Sequence, residues 1–84
     1  MLVITKADLE RFRKEAIERG RRAIIDDIVR HVKDKAERGQ HKYAHQYQGG
    51  WEQYFTPEEM VQELRSIFID IHIEYAEPYV SIRW

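Results

Sequence analysis

The sequence predicts an α+β fold, in which a long N-terminal helix and a short helix pack on one face of a small antiparallel three-stranded sheet. Three observations predict it. Strong helix formers run almost without interruption from Thr5 to Arg38, a second helix start occurs at Thr56, and two runs of alternating polarity end the chain. The expected order of elements is α-β-α-β-β. Because 84 residues leave room for one hydrophobic core, we expect a single domain spanning residues 1–84.

The long helix has signals at both of its ends. Thr5, followed three residues later by Asp8, is typical of a capped helix start, and Gly39 is placed to end the helix. Its apolar positions form two stripes that point in different directions, namely Leu9, Phe12, Ala16 and Gly20, and then Ile25, Ile28, Val29, Val32 and Ala36. The helix therefore either bends near Gly20, where helix propensity is weakest, or has two halves that face different partners.

The middle of the chain combines a weak strand signal with a strong helix signal. In residues 41–47, His and Tyr alternate with Lys, Ala and Gln, which favours a strand, although the same residues also form i,i+4 pairs on a helix. Gly49-Gly50 interrupts the pattern. The second helix begins with Thr56 as its cap, and proline occupies the first helical position. Its apolar stripe consists of Met60, Val61, Leu64 and Ile67.

The C-terminal residues predict a hairpin. One strand runs from Phe68 to Tyr75, with Ile69, Ile71, Ile73 and Tyr75 on its apolar face. The residues Ala76-Glu77-Pro78 form a short connection. The second strand has Val80, Ile82 and Trp84 on its apolar face.

Composition and charge exclude several classes of protein. The absence of cysteine excludes disulfides and thiolate metal sites. The apolar run at residues 1–4 is too short for a signal peptide or a membrane span, so we expect a cytoplasmic protein that does not bind membranes. Residues 1–48 carry twelve Lys/Arg and eight Asp/Glu, whereas residues 49–84 carry two and seven. Such a split can steer a polyanion to the first half or favour contact between copies.

Two sets of polar residues are candidates for a metal or catalytic site. On a strand, Asp70, His72 and Glu74 would project in one row, but next-but-one residues are about 7 Å apart, too far for all three to hold one ion. His41 and His45 would share one face of a helix, with His31 or His72 as a third ligand, but Lys42 stands where a metalloprotease needs glutamate. We interpret both sets as surface or interface residues. We therefore expect neither a metal nor a cofactor, and a protein that is not an enzyme.

Nucleic-acid binding is the alternative function that the sequence offers. A positive face on the long helix could contact phosphates, and its candidate residues are Arg11, Lys14, Arg21 and Arg22. However, acidic residues are interleaved with them at spacings of three and four, which is typical of a solvated helix.

Two apolar sets are candidates for protein binding. The first is the later stripe of the long helix, with self-association residues Ile25, Ile28, Val29 and Val32. The second comes from an aromatic cluster that also contains Tyr43 and Phe55, and its partner-binding candidates are Tyr47, Trp51 and Tyr54. Aromatic residues in a small domain more often complete the core.

The order of elements is similar to that of small uncharacterised α+β accessory proteins of phages and large DNA viruses. The matching pieces are Ala36-Glu37-Arg38-Gly39, Thr56 to Ile67, Phe68-Ile69-Asp70-Ile71 and Ile82-Arg83-Trp84. The chain departs from that pattern at Phe68, which is followed by Ile69 where those proteins tend to place proline. The resemblance implies an accessory role, such as binding a host protein or a virion component, in the host cytoplasm or the virion. It implies no catalytic residues.

Together these observations predict a small non-enzymatic protein-interaction module. A core this small often gains stability from self-association, so we expect a homodimer or larger homo-oligomer, or a complex with another protein. Nucleic-acid binding through the basic helix remains the alternative.

Overall fold

The computed structural model describes residues 2–84 and confirms the predicted α+β arrangement and order of elements. The bounds are α1 Lys6–Glu37, β1 Lys42–Gln46, a short 3₁₀ turn Trp51–Gln53, α2 Pro57–Ile67, β2 His72–Ala76 and β3 Tyr79–Arg83. The strand at residues 42–46 is therefore confirmed, and α1 is one helical element that continues through Gly20.

The three strands form an antiparallel sheet in the order β1-β3-β2. In one cross-strand row Tyr43 and Ile73 lie on either side of Ile82, and in the next row His45 and Tyr75 flank Val80 in the same way. These rows belong to the inner face of the sheet, because side chains alternate between faces along each strand.

The core lies between this inner face and the two helices, with α1 packed on β1 and α2 packed on β2. Its largest fully buried side chains come from every layer: Ile28 on α1, Met60 and Leu64 on α2, and Ile73, Val80 and Ile82 on the sheet. The rest of the buried hydrophobic set is Ile25, Val32, Phe55 and Val61.

Local chemistry fixes the ends of both helices where the sequence predicts them. The Thr5 and Thr56 hydroxyls accept from the backbone N–H groups of Asp8 and Glu59, and both carboxylates accept from the threonine N–H in return. These hydrogen bonds hold the pKa of Glu59 below its ordinary value. After α1, Gly39 has a φ of 80°, a left-handed conformation that favours glycine.

The start of β2 corrects the predicted strand from Phe68 to Tyr75. The chain bends after α2, Asp70 has a φ of 61°, and the strand begins only at His72. A chain that leaves a helix must reverse direction before it can join the sheet, and these residues make that bend. Ile69, predicted to face the core, is consequently 80% exposed. The last residue of the predicted α2 stripe, Ile67, is also exposed.

Candidate protein-interaction surface

The N-terminal half of α1 projects away from the rest of the molecule. We call residues 2–19 the arm, because all their side chains are exposed except those of Asp8 and Ile17, which are half-buried. The molecule measures 58 × 24 × 21 Å, and its radius of gyration is 16.0 Å. A compact chain of this length would have a radius of gyration of about 12 Å. The arm accounts for this elongation, since the first buried residue of α1 is Ile25.

The arm exposes large apolar side chains. Leu9 is 58% exposed and Phe12 is 49% exposed, although both belong to a regular helix. Since each helical residue turns by about 100°, they lie with Ala16 on the side of α1 roughly opposite to the core-facing side. Three further exposed apolar residues precede the helix, namely Leu2, Val3 and Ile4. An exposed apolar surface of this kind is typical of a protein-interaction site.

The charged residues of the arm are mixed in sign. Five basic and four acidic side chains lie in residues 2–19. Two ion pairs connect neighbouring turns of the arm. Lys6 pairs with Glu10, and Arg11 pairs with the half-buried Asp8. The arm therefore has little net charge, so another helix could lie beside it without strong repulsion.

The structure places the predicted self-association residues in the chain's own core. Ile25, Ile28 and Val32 are buried, and Val29 is half-buried against the same core. Their stripe packs against the sheet and α2 of the same molecule, and Val29 also lines an open depression. The accessible apolar surface of α1 is instead its earlier stripe, at Leu9, Phe12 and Ala16.

The predicted partner-binding aromatics also belong mainly to the fold. Tyr47, Trp51 and Tyr54 are half-buried and pack against the core. The Tyr47 hydroxyl donates to the carbonyl oxygen of Phe55, and burial raises the pKa of this phenol. Trp51 stacks on the ring of His45, with centroids 5.3 Å apart. These contacts favour the interpretation in which the cluster completes the core.

The four predicted nucleic-acid-binding residues do not form a purely basic surface. Arg21 is directed back to the body, where it donates to the carbonyl oxygen of Tyr54 and pairs with Glu59 at 3.5 Å. Arg11 is paired with Asp8. Lys14 and Arg22 are exposed, but they line depressions that also contain Glu10, Glu18, Asp26 and Glu63.

A cluster of titratable rings lies where α1 crosses β1. The Tyr43 hydroxyl is 2.6 Å from Nδ1 of His45, and the ring of His31 stacks on Tyr43 with centroids 5.4 Å apart. Burial lowers the pKa of His45, and the proximity of His31 acts in the same direction, while Asp27 opposes both. Burial and Asp27 raise the pKa of the Tyr43 phenol. Both shifts favour the uncharged forms, a protonated Tyr43 phenol hydrogen-bonded to a neutral His45 ring, and the His45 side chain is buried.

The two polar sets that the sequence offers as metal sites are not assembled in the described part of the chain. Asp70 lies in the bend before β2, so it does not share a strand row with His72 and Glu74. Glu74 instead pairs with His72 at 3.2 Å and with Arg83 at 3.5 Å on the outer face of the sheet. His41 is exposed, whereas His45 points into the core. Within residues 2–84, no three carboxylate or imidazole groups converge as a metal site requires.

Comparisons with known proteins identify no relative. No protein-family model matches the chain, no curated protein is similar enough to match it, and no solved structure matches it. In the described part of the chain, no helix is both long and apolar enough to cross a membrane.

Proposed function

We propose that this chain is a non-enzymatic protein-interaction module that self-associates through its arm. The observation that carries the proposal is the exposed apolar row of Leu9 and Phe12 on a helical segment that makes no core of its own. A row of apolar side chains at helical spacing stabilises a helix only when another surface covers it. The fold covers only the opposite side of α1, farther along its length, so the apolar row of the arm is open to a partner.

A second copy is the partner that the arm favours. Every copy carries the same row, with the large Phe12 one turn from the small Ala16, so that two arms can interdigitate side by side. The near balance of charge on the arm permits such pairing. Leu2, Val3 and Ile4 lie at its end and would extend the covered surface. An assembly of this kind is compatible with the accessory role implied by the resemblance to small phage and viral proteins.

The test is the mass of the protein in solution, measured by light scattering after size-exclusion chromatography across micromolar to millimolar concentrations. We expect a dimer or larger species. The double substitution Leu9→Gln with Phe12→Gln should give a folded monomer, because glutamine is a good helix former and both positions are outside the core. Its thermal midpoint should be lower than that of the native protein and independent of concentration, because it lacks the stabilisation that association provides.

The matched control is Glu10→Gln with Arg13→Gln, which changes two arm residues outside the apolar row and should leave the mass of the assembly unchanged. A native protein that stays monomeric throughout would overturn the proposal. So would a double variant of Leu9 and Phe12 that assembles as the native protein does.

A further inference from the structure

The two edges of the sheet differ in how their backbone groups are satisfied. In β1, the carbonyl oxygen of His41 accepts from Trp84, and Tyr47 donates to the carbonyl oxygen of Pro78. Hydrogen-bonded pairs alternate along an antiparallel ladder, so the odd-numbered residues of β1 face β3. The N–H and C=O groups of Lys42, Ala44 and Gln46 therefore point away from the sheet, and we call this set the β1 edge.

The opposite edge, on β2, is partly covered. There the guanidinium of Arg65, on α2, donates to the carbonyl oxygen of Ile73 at 2.9 Å. Within residues 2–84, no side chain makes an equivalent hydrogen bond to Lys42, Ala44 or Gln46. An uncovered strand edge is a template for one more strand.

The surface beside the β1 edge is basic. An open groove runs along it, lined by Lys35, Gln40, Lys42, Tyr43, Ala44 and Ser81. The ion pairs among residues 2–84 engage neither Lys35 nor Lys42. Both ammonium groups are therefore free to meet a carboxylate of a strand that lies in the groove.

We propose that the β1 edge binds an extended acidic peptide segment of a partner protein as a fourth strand. The outward N–H and C=O groups would provide the backbone pairing, and the two lysines would select carboxylate side chains. A second copy of β1 is the wrong occupant, because it would bring a second set of these lysines to the same seam. The site is distinct from the arm, since Lys35 lies about 24 Å along the helix from Arg19.

The probe is a capped hexapeptide of alternating glutamate and valine, titrated into isotopically labelled protein and followed by NMR. We expect the largest amide shifts at Lys42, Ala44 and Gln46, and binding that weakens as salt is added. The same peptide with lysine in place of glutamate should not bind. Binding should persist in the Leu9→Gln, Phe12→Gln variant, so that this result and that of the self-association test are independent.

Two variants, one of them with its own control, test the charge recognition and the backbone pairing separately. The charge reversal Lys35→Glu with Lys42→Glu should weaken binding at least tenfold, whereas Lys33→Glu, on the same helix but outside the groove, should change it little. Ala44→Pro removes one outward N–H and leaves the pairing of β1 with β3 in place, and it should abolish binding.

A probe that does not depend on the folding of a variant is the same peptide N-methylated at every valine or at every glutamate. One of these two must lose binding, because one set of amides faces β1. The proposal is overturned if the native peptide does not bind, if both methylated peptides bind as well as the parent, or if the shifts lie outside β1 and its groove.

Discussion

The phenol ring of Tyr54 lies directly against the Cα of Gly20, in the space that a side chain would occupy. A Cβ built on Gly20 would overlap Cε1 of Tyr54, and two more ring carbons would lie within 2.8 Å of it. Tyr54 follows the short 3₁₀ turn, so this contact attaches the loop before α2 to the middle of α1. Gly20 therefore marks the point where α1 leaves the body and the arm begins.

We predict that Gly20→Ala destabilises the protein by about 1–3 kcal/mol, because the added methyl group must displace the Tyr54 ring. In an exposed helix the same change normally stabilises by about 1 kcal/mol. The measurement is chemical denaturation of four proteins: the native chain, Gly20→Ala, Tyr54→Ala and the double variant. In the Tyr54→Ala background the alanine at position 20 should become stabilising. The same sign in both backgrounds would show that the ring contact is not the cause.

The sequence predicts the parts of this fold that depend on local chemistry. Thr5, Thr56 and Gly39 mark helix ends because capping needs only neighbouring residues. The alternation around Ile69 places the start of β2 too early, since it does not reveal the bend that follows α2. The uncovered β1 edge could not be predicted, because it depends on strand order.

The division of α1 into a buried half and an exposed half was only partly predictable. The change of stripe direction near Gly20 is visible in the sequence, and it indicates that the two halves face different surroundings. Which stripe the sheet covers depends on the packing of α1 against β1 and α2. Helical spacing is the same in both stripes, so the sequence does not indicate that Ile28 is buried by the fold and Phe12 is exposed.

The buried His45 should make stability depend on pH. Its pKa in the folded protein lies below the ordinary value of 6.5 because the ring is buried, and the groups that face it are Asp27 and His31 from α1 and Tyr43 from β1. The unfolded chain therefore binds a proton more readily than the folded one. Stability should be fully present above about pH 6.5 and should fall as the pH decreases from there through the folded pKa.

The measurement is the urea midpoint of unfolding at several values between pH 8 and 5, for the native chain and for His45→Phe. The variant lacks the titrating group, so its midpoint should fall less over the acidic part of this range, whatever its stability at pH 8. His41→Phe is the matched control, because the His41 side chain is exposed and belongs to none of the ion pairs among residues 2–84; it should keep the native pH dependence of stability. If the urea midpoint fell equally with pH in the native chain and in His45→Phe, protonation of His45 would not be the cause of the pH dependence.

The hydroxyl of Tyr47 should contribute measurably to stability. It donates to the carbonyl oxygen of Phe55, a buried residue, and so connects the end of β1 to the loop before α2. Tyr47→Phe should lower the free energy of unfolding by about 1–2 kcal/mol, because the carbonyl oxygen loses its partner. Tyr79→Phe removes the same group from an exposed residue and should change stability by less than about 0.5 kcal/mol. Comparable losses in the two variants would contradict the assignment.

We predict that Arg21 stabilises the fold and does not bind nucleic acid. Its Nε donates to the carbonyl oxygen of Tyr54, and its guanidinium carbon lies 5.1 Å from the centre of the Phe55 ring. Arg21→Ala should therefore destabilise the chain by about 1–3 kcal/mol, since it removes a charged hydrogen bond and a cation–π contact. The adjacent Arg22→Ala removes an exposed side chain and should change stability by less than about 0.5 kcal/mol. Thermal and urea unfolding of both variants measure the difference. If Arg21→Ala left stability unchanged, its contacts with Tyr54 and Phe55 would not be holding the loop to α1, and Arg21 would be available for phosphate contacts.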